Sequence, residues 1–174
     1  MRYPVLETER LHLRELTLED TEAVFRHFSD PLVVEFMDIG VCKNREEAAE
    51  IISFHIRDSG CRYGMFLKET GELVGTCGFH CWGQSQGKSK AEVGFDVASS
   101  HWRKGYMLEA AMPIIQLGFE QMKLDYIEAT TEPGNRPSQQ LLNKLGFIQS
   151  EELVDQLVYF TLTKEGVSNF KYIE

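Results

Sequence analysis

No apolar run in this chain approaches the roughly 18 residues that a membrane-spanning helix requires. Its opening, MRYPVLETERL, also lacks the basic segment followed by an apolar stretch that marks a secretory signal. A helical membrane span is therefore not expected, and a cytoplasmic location is. Positive charge is in deficit: 18 basic residues stand against 27 acidic ones, a formal net charge of −9. Extended nucleic-acid binding needs clustered cations against phosphates, so no nucleic-acid partner is expected. An acidic surface favours the approach of cationic ligands such as amines. Cysteine is scarce as well. Cys42, Cys61, Cys77 and Cys81 form no Cys-x-x-Cys pair, and the five histidines are scattered. That pattern predicts neither a metal site nor a disulfide framework, but free buried thiols. No internal repeat, low-complexity tract or Pro/Gly/Ser linker divides the 174 residues, a length that fits one domain over 1–174 with one sizeable core.

Within that single unit the order of elements can be read from spacing and punctuation. Leu11, Leu13 and Glu15 alternate with polar neighbours as an opening strand. Thr17, with Asp20 three residues on, is a capping-box pattern ahead of LEDTEAVFRHF, and Ser29-Asp30-Pro31 ends that helix, with a short segment following through Met37. Asn44 and Glu47 cap a second helix expected to run to about Ser59, with Gly60 behind it. RYGMFLK, the turn ETGE and LVGTCGFHCW read as a hairpin; GQSQGKSK reads as a flexible polar loop and AEVGFDVA as the next strand. A helix to about Met122, the strand YIEATTE, a Pro133-Gly134 turn and the helix PSQQLLNKL, closed by Gly146, come next. The end, FIQSEELVDQLVYFTLTKEG, reads as two short antiparallel strands. This order predicts a mixed α/β fold with the longer helices packed on the faces of a sheet.

Two stretches could cradle phosphate. GQSQGKS has only three residues between Gly83 and Gly87, and a strand follows it, so it cannot be a nucleotide P-loop. HWRKGYMLEA has the right context: strand, short turn, glycine, helix. A helix start offers unpaired N–H groups and partial positive charge, Gly105 permits close approach or positive φ, and Arg103 and Lys104 add local charge. Leu108, Ala111, Met112, Ile115, Phe119 and Met122 fall on one stripe of that helix, expected to face the core.

WRKGYMLEA resembles the pyrophosphate-binding loop of the GNAT N-acetyltransferase superfamily, and in particular the branch of ribosomal-protein N-terminal acetyltransferases. ETERLHLRELTLED, AEVGFDV and NRPSQQLLNKLGF resemble that branch's opening strand and helix, its central strand and its Asn-x-x-Ser run, in the same order along nearly the whole chain. The resemblance implies a mixed, mostly antiparallel central sheet splayed at its middle strands, with helices on both faces. It implies acetyl-CoA as co-substrate, an amine as acceptor and no metal, and it allows a homodimer. Arg103, Lys104, Gly105, Tyr106, Met107 and Leu108 would then present backbone to the pyrophosphate. Phe95, Asp96 and Val97 would pair with the pantetheine arm as though it were an added strand, and Asn135 would bind the arm from the opposite lip.

Departures from the family pattern are Met107, where Gly or Ala is usual, and Pro113, expected to kink the helix and free the carbonyl of Glu109. Leu142 stands seven residues after Asn135, where many members carry the tyrosine that serves as general acid. Glu92 is the candidate base, with Glu128, Glu132 and His80 as alternates. Ser138 is the candidate acid, with helix capping as its competing role and Tyr159 as another candidate. Trp82, Phe36 and Met37 are candidate walls of the acceptor pocket. The acceptor itself is expected to be a protein N-terminal α-amino group, with a small amine as the alternative; a non-catalytic acyl-CoA-binding module is the contrasting class.

Overall fold

Alternating apolar residues at Leu11 and Leu13 produce the expected strand, β2 (Leu11–Glu15), which pairs with a two-residue strand that periodicity is too short to reveal, β1 (Leu6–Glu7). The computed structural model describes residues 3–58 and 60–170. The Thr17–Asp20 capping box is present, with Asp20 Oδ2 accepting from the Thr17 amide at 2.8 Å and both carboxylate oxygens accepting from the Arg14 guanidinium. A single 3₁₀ turn at Leu18–Asp20 leads into α1 (Thr21–Phe28). Asp30 caps the short α2 (Pro31–Val34). Asn44 Oδ1 accepts from the Glu47 amide at 2.8 Å and starts α3 (Arg45–Arg57); Ser59, where this helix was expected to end, lies outside the described residues.

Four further departures concern the expected elements. The polar stretch GQSQGKSK is not a loop: β4 (Leu73–Ser85) and β5 (Lys88–Val97) run through it in register, Ser85 opposite Lys88. Only Gln86 and Gly87 turn the chain, both with positive φ (51° and 76°), the twist that suits a two-residue hairpin. The helix after Gly105, α4 (Tyr106–Glu120), continues through Pro113 as one element. Its buried residues are Met107, Ala110, Ala111, Ile114, Ile115, Leu117, Gly118 and Phe119. Ala111, Ile115 and Phe119 of the expected stripe are thus buried, as is Met122 just beyond the helix, while Leu108 and Met112 are only half-buried and the inner face is wider than expected. This helix is apolar nearly all round, so spacing alone could not pick its inner side. Contact does: a Cβ on Gly118 would lie 2.7 Å from the ring of the fully buried Phe79. Finally, a terminal helix, α6 (Lys164–Phe170), follows the last strand.

With β3 (Cys61–Leu67), β6 (Tyr126–Thr131), α5 (Arg136–Lys144), β7 (Ile148–Val154) and β8 (Leu157–Thr163), the strands form one eight-stranded sheet in the order β1-β2-β3-β4-β5-β6-β8-β7. Every neighbouring pair is antiparallel except β5 and β6, which are parallel. The last strand thus slips between β6 and β7. One apolar core joins α4 and α5 to Cys77, Phe79, Val93, Ile127 and Phe160; a second gathers α1, α2 and α3 over Phe66 and Leu73. Because side chains alternate along a strand, Thr76, Gly78 and His80 of β4, Glu92 and Asp96 of β5, and Glu128 and Thr130 of β6 share the face opposite α4. The polar chemistry of the sheet is therefore gathered on one side.

Candidate active site

The ladder between β5 and β6 consists of three pairs, Lys90↔Tyr126, Ala91↔Ile127 and Glu92↔Glu128, and stops there although both strands continue. From Val93 onward β5 keeps its antiparallel partner β4 and has no strand on its other side among the described residues. The sheet forks at Glu92, as the resemblance implied, and Phe95, Asp96 and Val97 lie along the open lip. Unpaired strand edge is a template for another extended chain.

A buried charge network holds that lip. Asp96 Oδ1 is 2.5 Å from His27 Nε2 of α1 and accepts from the Thr76 amide at 3.0 Å; Oδ2 accepts from Arg62 Nη2 at 2.9 Å and the Thr76 hydroxyl at 2.6 Å. Burial opposes ionisation of this carboxyl, but His27 and Arg62 outweigh it and pull the pKa down to about 2. Nearby His55 is pushed down to about 4, by burial first and then by the Arg62 charge. One strand residue, Asp96, thus ties β5 to β4, β3 and α1 together.

At the mouth of the fork α4 begins. Gly105 is its N-cap, at φ 78°, with no side-chain cap, and Arg103 also has positive φ (61°). By helix geometry the amides of Tyr106, Met107 and Leu108 have no intrahelical acceptor. Met107 is buried in the core, so its bulk faces away from those amides; Arg103 and Lys104 are exposed. A residue that spacing did not single out stands here too. Arg10 Nε donates to Glu109 Oε2 at 2.7 Å, and the guanidinium lies over the Tyr106 ring, 4.3 Å from its centroid. Glu109 Oε1 also accepts from the Arg10 amide (2.8 Å) and the Thr8 hydroxyl (2.5 Å), latching the β1–β2 hairpin to the helix start. The Thr-x-Arg of ETERL was the only available signal for it.

Around the crotch of the fork the candidate base meets its alternates. Glu92 Oε1 accepts from the Thr130 hydroxyl at 2.5 Å, and Oε2 lies 3.5 Å from His80 Nε2. Burial works against its ionisation, but His80 and Thr130 prevail and hold it below the ordinary carboxylate range. Cys81 joins them: Sγ, His80 and a Glu92 carboxylate oxygen all lie within 4.8 Å of one another. Cys81 occupies a bulge between His80 and Gly83 at φ 52° and is exposed, whereas the other three thiols are buried as expected. Partial burial and the Glu92 charge push its thiol up, which keeps it protonated and a poor nucleophile. Glu128 is committed elsewhere, to an ion pair with Lys90 and a 2.8 Å bond from the Tyr159 hydroxyl, whose pKa burial, and then this contact, push up. Glu132 is exposed, beyond the end of β6.

On the other lip, Asn135 is the N-cap of α5, its Oδ1 accepting from the Ser138 amide at 3.3 Å. The capping role weighed for the Ser138 side chain therefore belongs to Asn135, and the half-buried Ser138 hydroxyl is left free of it. Phe36 is exposed and lies against this lip, 3.7 Å from where a Cβ on Gly134 would be. Met37 packs on the second core, and Trp82 packs on the α4 side of the sheet with Nε1 3.4 Å from the Ser89 hydroxyl. Phe36 is thus brought to the fork's rim; Trp82 is turned from the polar face by the bulge at Cys81.

A forked mixed sheet with an uncapped helix start at its mouth is the architecture of an acetyltransferase. Residues 10–148 match the family described as Acetyltransferase (GNAT) domain. The chain is 39% identical to the uncharacterized N-acetyltransferase p20 of Bacillus licheniformis over 86% of this chain and 84% of that one. It is 34% identical to the uncharacterized N-acetyltransferase YoaA of Bacillus subtilis over 90% and 89%. Its fold superposes on a GNAT-family acetyltransferase from Bacillus anthracis with a TM-score of 0.79 and 26% identity, covering 93% of this chain and 99% of that one. This protein belongs to the GNAT family of N-acetyltransferases. The family fold normally uses acetyl-CoA as co-substrate and an amine as acceptor.

Proposed function

We propose that this chain, acting as a single domain, moves an acetyl group from acetyl-CoA to the α-amino group of a peptide N-terminus. The observation that carries the reading is the end of β5–β6 pairing at Glu92, which leaves an open strand edge running toward the free amides of α4. These features fit the two ends of the coenzyme: a pantetheine arm can add to the lip at Phe95–Val97, and a pyrophosphate can sit on the amides of Tyr106, Met107 and Leu108. Arg103, Lys104 and Arg10 supply charge around that seat, Gly105 lets the backbone turn into it, and the Asn135 carboxamide NH₂, whose oxygen is taken up by the Ser138 amide, would donate to the arm from the other lip.

In the chemical step the neutral amine nitrogen bonds to the thioester carbonyl carbon and the carbon–sulfur bond breaks. The ammonium proton of the adduct passes to Glu92, directly or through water, and the leaving thiolate is protonated through the Ser138 hydroxyl, which regains its proton from water as Glu92 returns one to solvent. A carboxylate is a weak base, which favours an acceptor that is already partly neutral. An α-amino group of pKa ~8 is about a tenth neutral at pH 7, and a lysine side chain only about one part in 2,500. A second reading, a small free amine, is favoured by one feature: β7 and β8 are joined by Asp155-Gln156 alone, which leaves little chain there to grip a long peptide.

The test is release of coenzyme A thiol from acetyl-CoA with peptides bearing free and blocked N-termini, amino acids and polyamines. Turnover on free N-termini, lost on blocking, supports the reading. Turnover on polyamines with none on peptides transfers it to the small-amine alternative.

A further inference from the structure

We propose that His80, Cys81 and Glu92 bind a thiophilic divalent cation of the zinc class, and that the bound cation excludes the amine. Strict alternation would put His80 and Cys81 on opposite faces of β4. The bulge after His80 and the left-handed backbone at Cys81 break that alternation, and the Cys81 sulfur comes to the same point as the imidazole and the carboxylate. Three donors of three kinds converge from two adjacent strands. The His80–Glu92 separation suits a shared metal better than it suits a direct contact, and the Cys81 sulfur lies within 4.8 Å of both. At 3.5 Å, His80 Nε2 and Glu92 Oε2 are beyond a good hydrogen bond, but ligands about 2.0–2.1 Å from a tetrahedral zinc lie about 3.4 Å apart.

The surroundings are also those of a metal site. Thr130 donates to the carboxylate oxygen that His80 does not face, which fixes the Glu92 headgroup as outer-shell partners do. Cys81 is exposed and His80 is partly so, which gives the ion an entry path. Three protein ligands leave a fourth position for water. Binding exchanges the thiol proton for the cation, and the proton leaves to solvent. Exclusion of the amine rests on the reading of Glu92 as base: a carboxylate bound to a metal cannot take the amine's proton. The spacing rules applied to the sequence missed this site because positions 80, 81 and 92 become neighbours only through the β4–β5 register, where His80 stands opposite Glu92.

The experiment is a cobalt(II) titration of the reduced full chain, free of any polyhistidine tag, followed by zinc competition. The expected result is one cobalt per chain with a sulfur-to-cobalt charge-transfer absorption that zinc abolishes. Cys81→Ser, at an exposed position, should remove that absorption and weaken zinc binding by more than the 10–100-fold that loss of an outer-shell partner costs, thus by more than about 100-fold. Its metal-free acetyl transfer should equal that of the unaltered protein. His80→Gln should weaken zinc binding as well. Zinc should stop turnover in the unaltered protein and spare it in Cys81→Ser at the same concentration. Absence of the sulfur-to-cobalt band, or zinc affinity unchanged in both variants, overturns the site. Tight binding without loss of turnover overturns the exclusion. A chain that binds cobalt through Cys81 but acetylates no amine supports the site and counts against the proposed function instead.

Discussion

Glu92 closes the β5–β6 ladder, accepts from Thr130 and faces His80, and the proposed function makes it the base. Glu92→Gln keeps the shape and the Thr130 contact but cannot take a proton. It should lower kcat for α-amine acceptors by about 10²–10⁴-fold with little change in the KM for acetyl-CoA, as steady-state thiol release would measure. Asp96 makes the opposite kind of contribution, to stability. Its carboxyl is depressed in the folded chain to about 2, facing His27, Arg62 and Thr76 with His55 nearby. Stability from a depressed carboxyl is present above its unfolded value near 4 and fades as pH falls toward 2, by on the order of 2–3 kcal/mol. Acid unfolding followed by circular dichroism should show this loss between about pH 4 and 2. Asp96→Asn should cost about 3–5 kcal/mol at neutral pH, because it strands the Arg62 charge in the interior, and should lower the Tm by roughly 10 °C. The sequence marked Asp96 for its backbone; that its side chain anchors three elements was invisible, because Arg62 and His27 lie 34 and 69 residues away in the chain.

Elements carry the next set of consequences, and α4 is the best example. Its start is bare of side-chain caps and depends on one left-handed glycine. Gly105→Ala places a Cβ at φ 78°, for which there is space, since the nearest atom is Arg10 Nη2 at 3.6 Å. The cost should therefore be conformational, about 1 kcal/mol, visible as a fall of a few degrees in Tm. If these amides seat the pyrophosphate, the same change should raise the Kd for coenzyme A in calorimetry while leaving the kcat at saturation close to normal. Glu109 tests the latch between this helix and the β1–β2 hairpin. Glu109→Ala removes the acceptor for Thr8, the Arg10 amide and the Arg10 guanidinium, and should destabilise by about 1–3 kcal/mol. The glycine and the cations of this loop were legible in the sequence. The burial of Met107 was not, because α4 is apolar nearly all round and only Phe79, packed against Gly118, fixes which side turns inward.

For the molecule as a whole, charge is the global property with a kinetic consequence. A net −9 at neutral pH favours the approach of cationic molecules, and salt screens that attraction over about 10 Å at 0.1 M. The apparent KM for a basic peptide should therefore rise between low and 0.5 M salt, with that for an uncharged-side-chain peptide changing less; matched initial-rate series would measure it. The sheet order brings a second global effect. Insertion of β8 between β6 and β7 buries Phe160 and Leu162, while Ile148, Leu153 and Val154 of β7 stay exposed at the sheet's edge.

The chain's own spacing of apolar residues, caps and glycines determined most of its helices and strands, the mixed fold class, and the helix start at Gly105, because each of these depends on residues within a few positions of one another. The forked strand pair, the network around Asp96 and the meeting of His80, Cys81 and Glu92 were decided only by tertiary structure. Each arises from register between strands distant in sequence, and a one-residue bulge is enough to turn a side chain from one face of a sheet to the other.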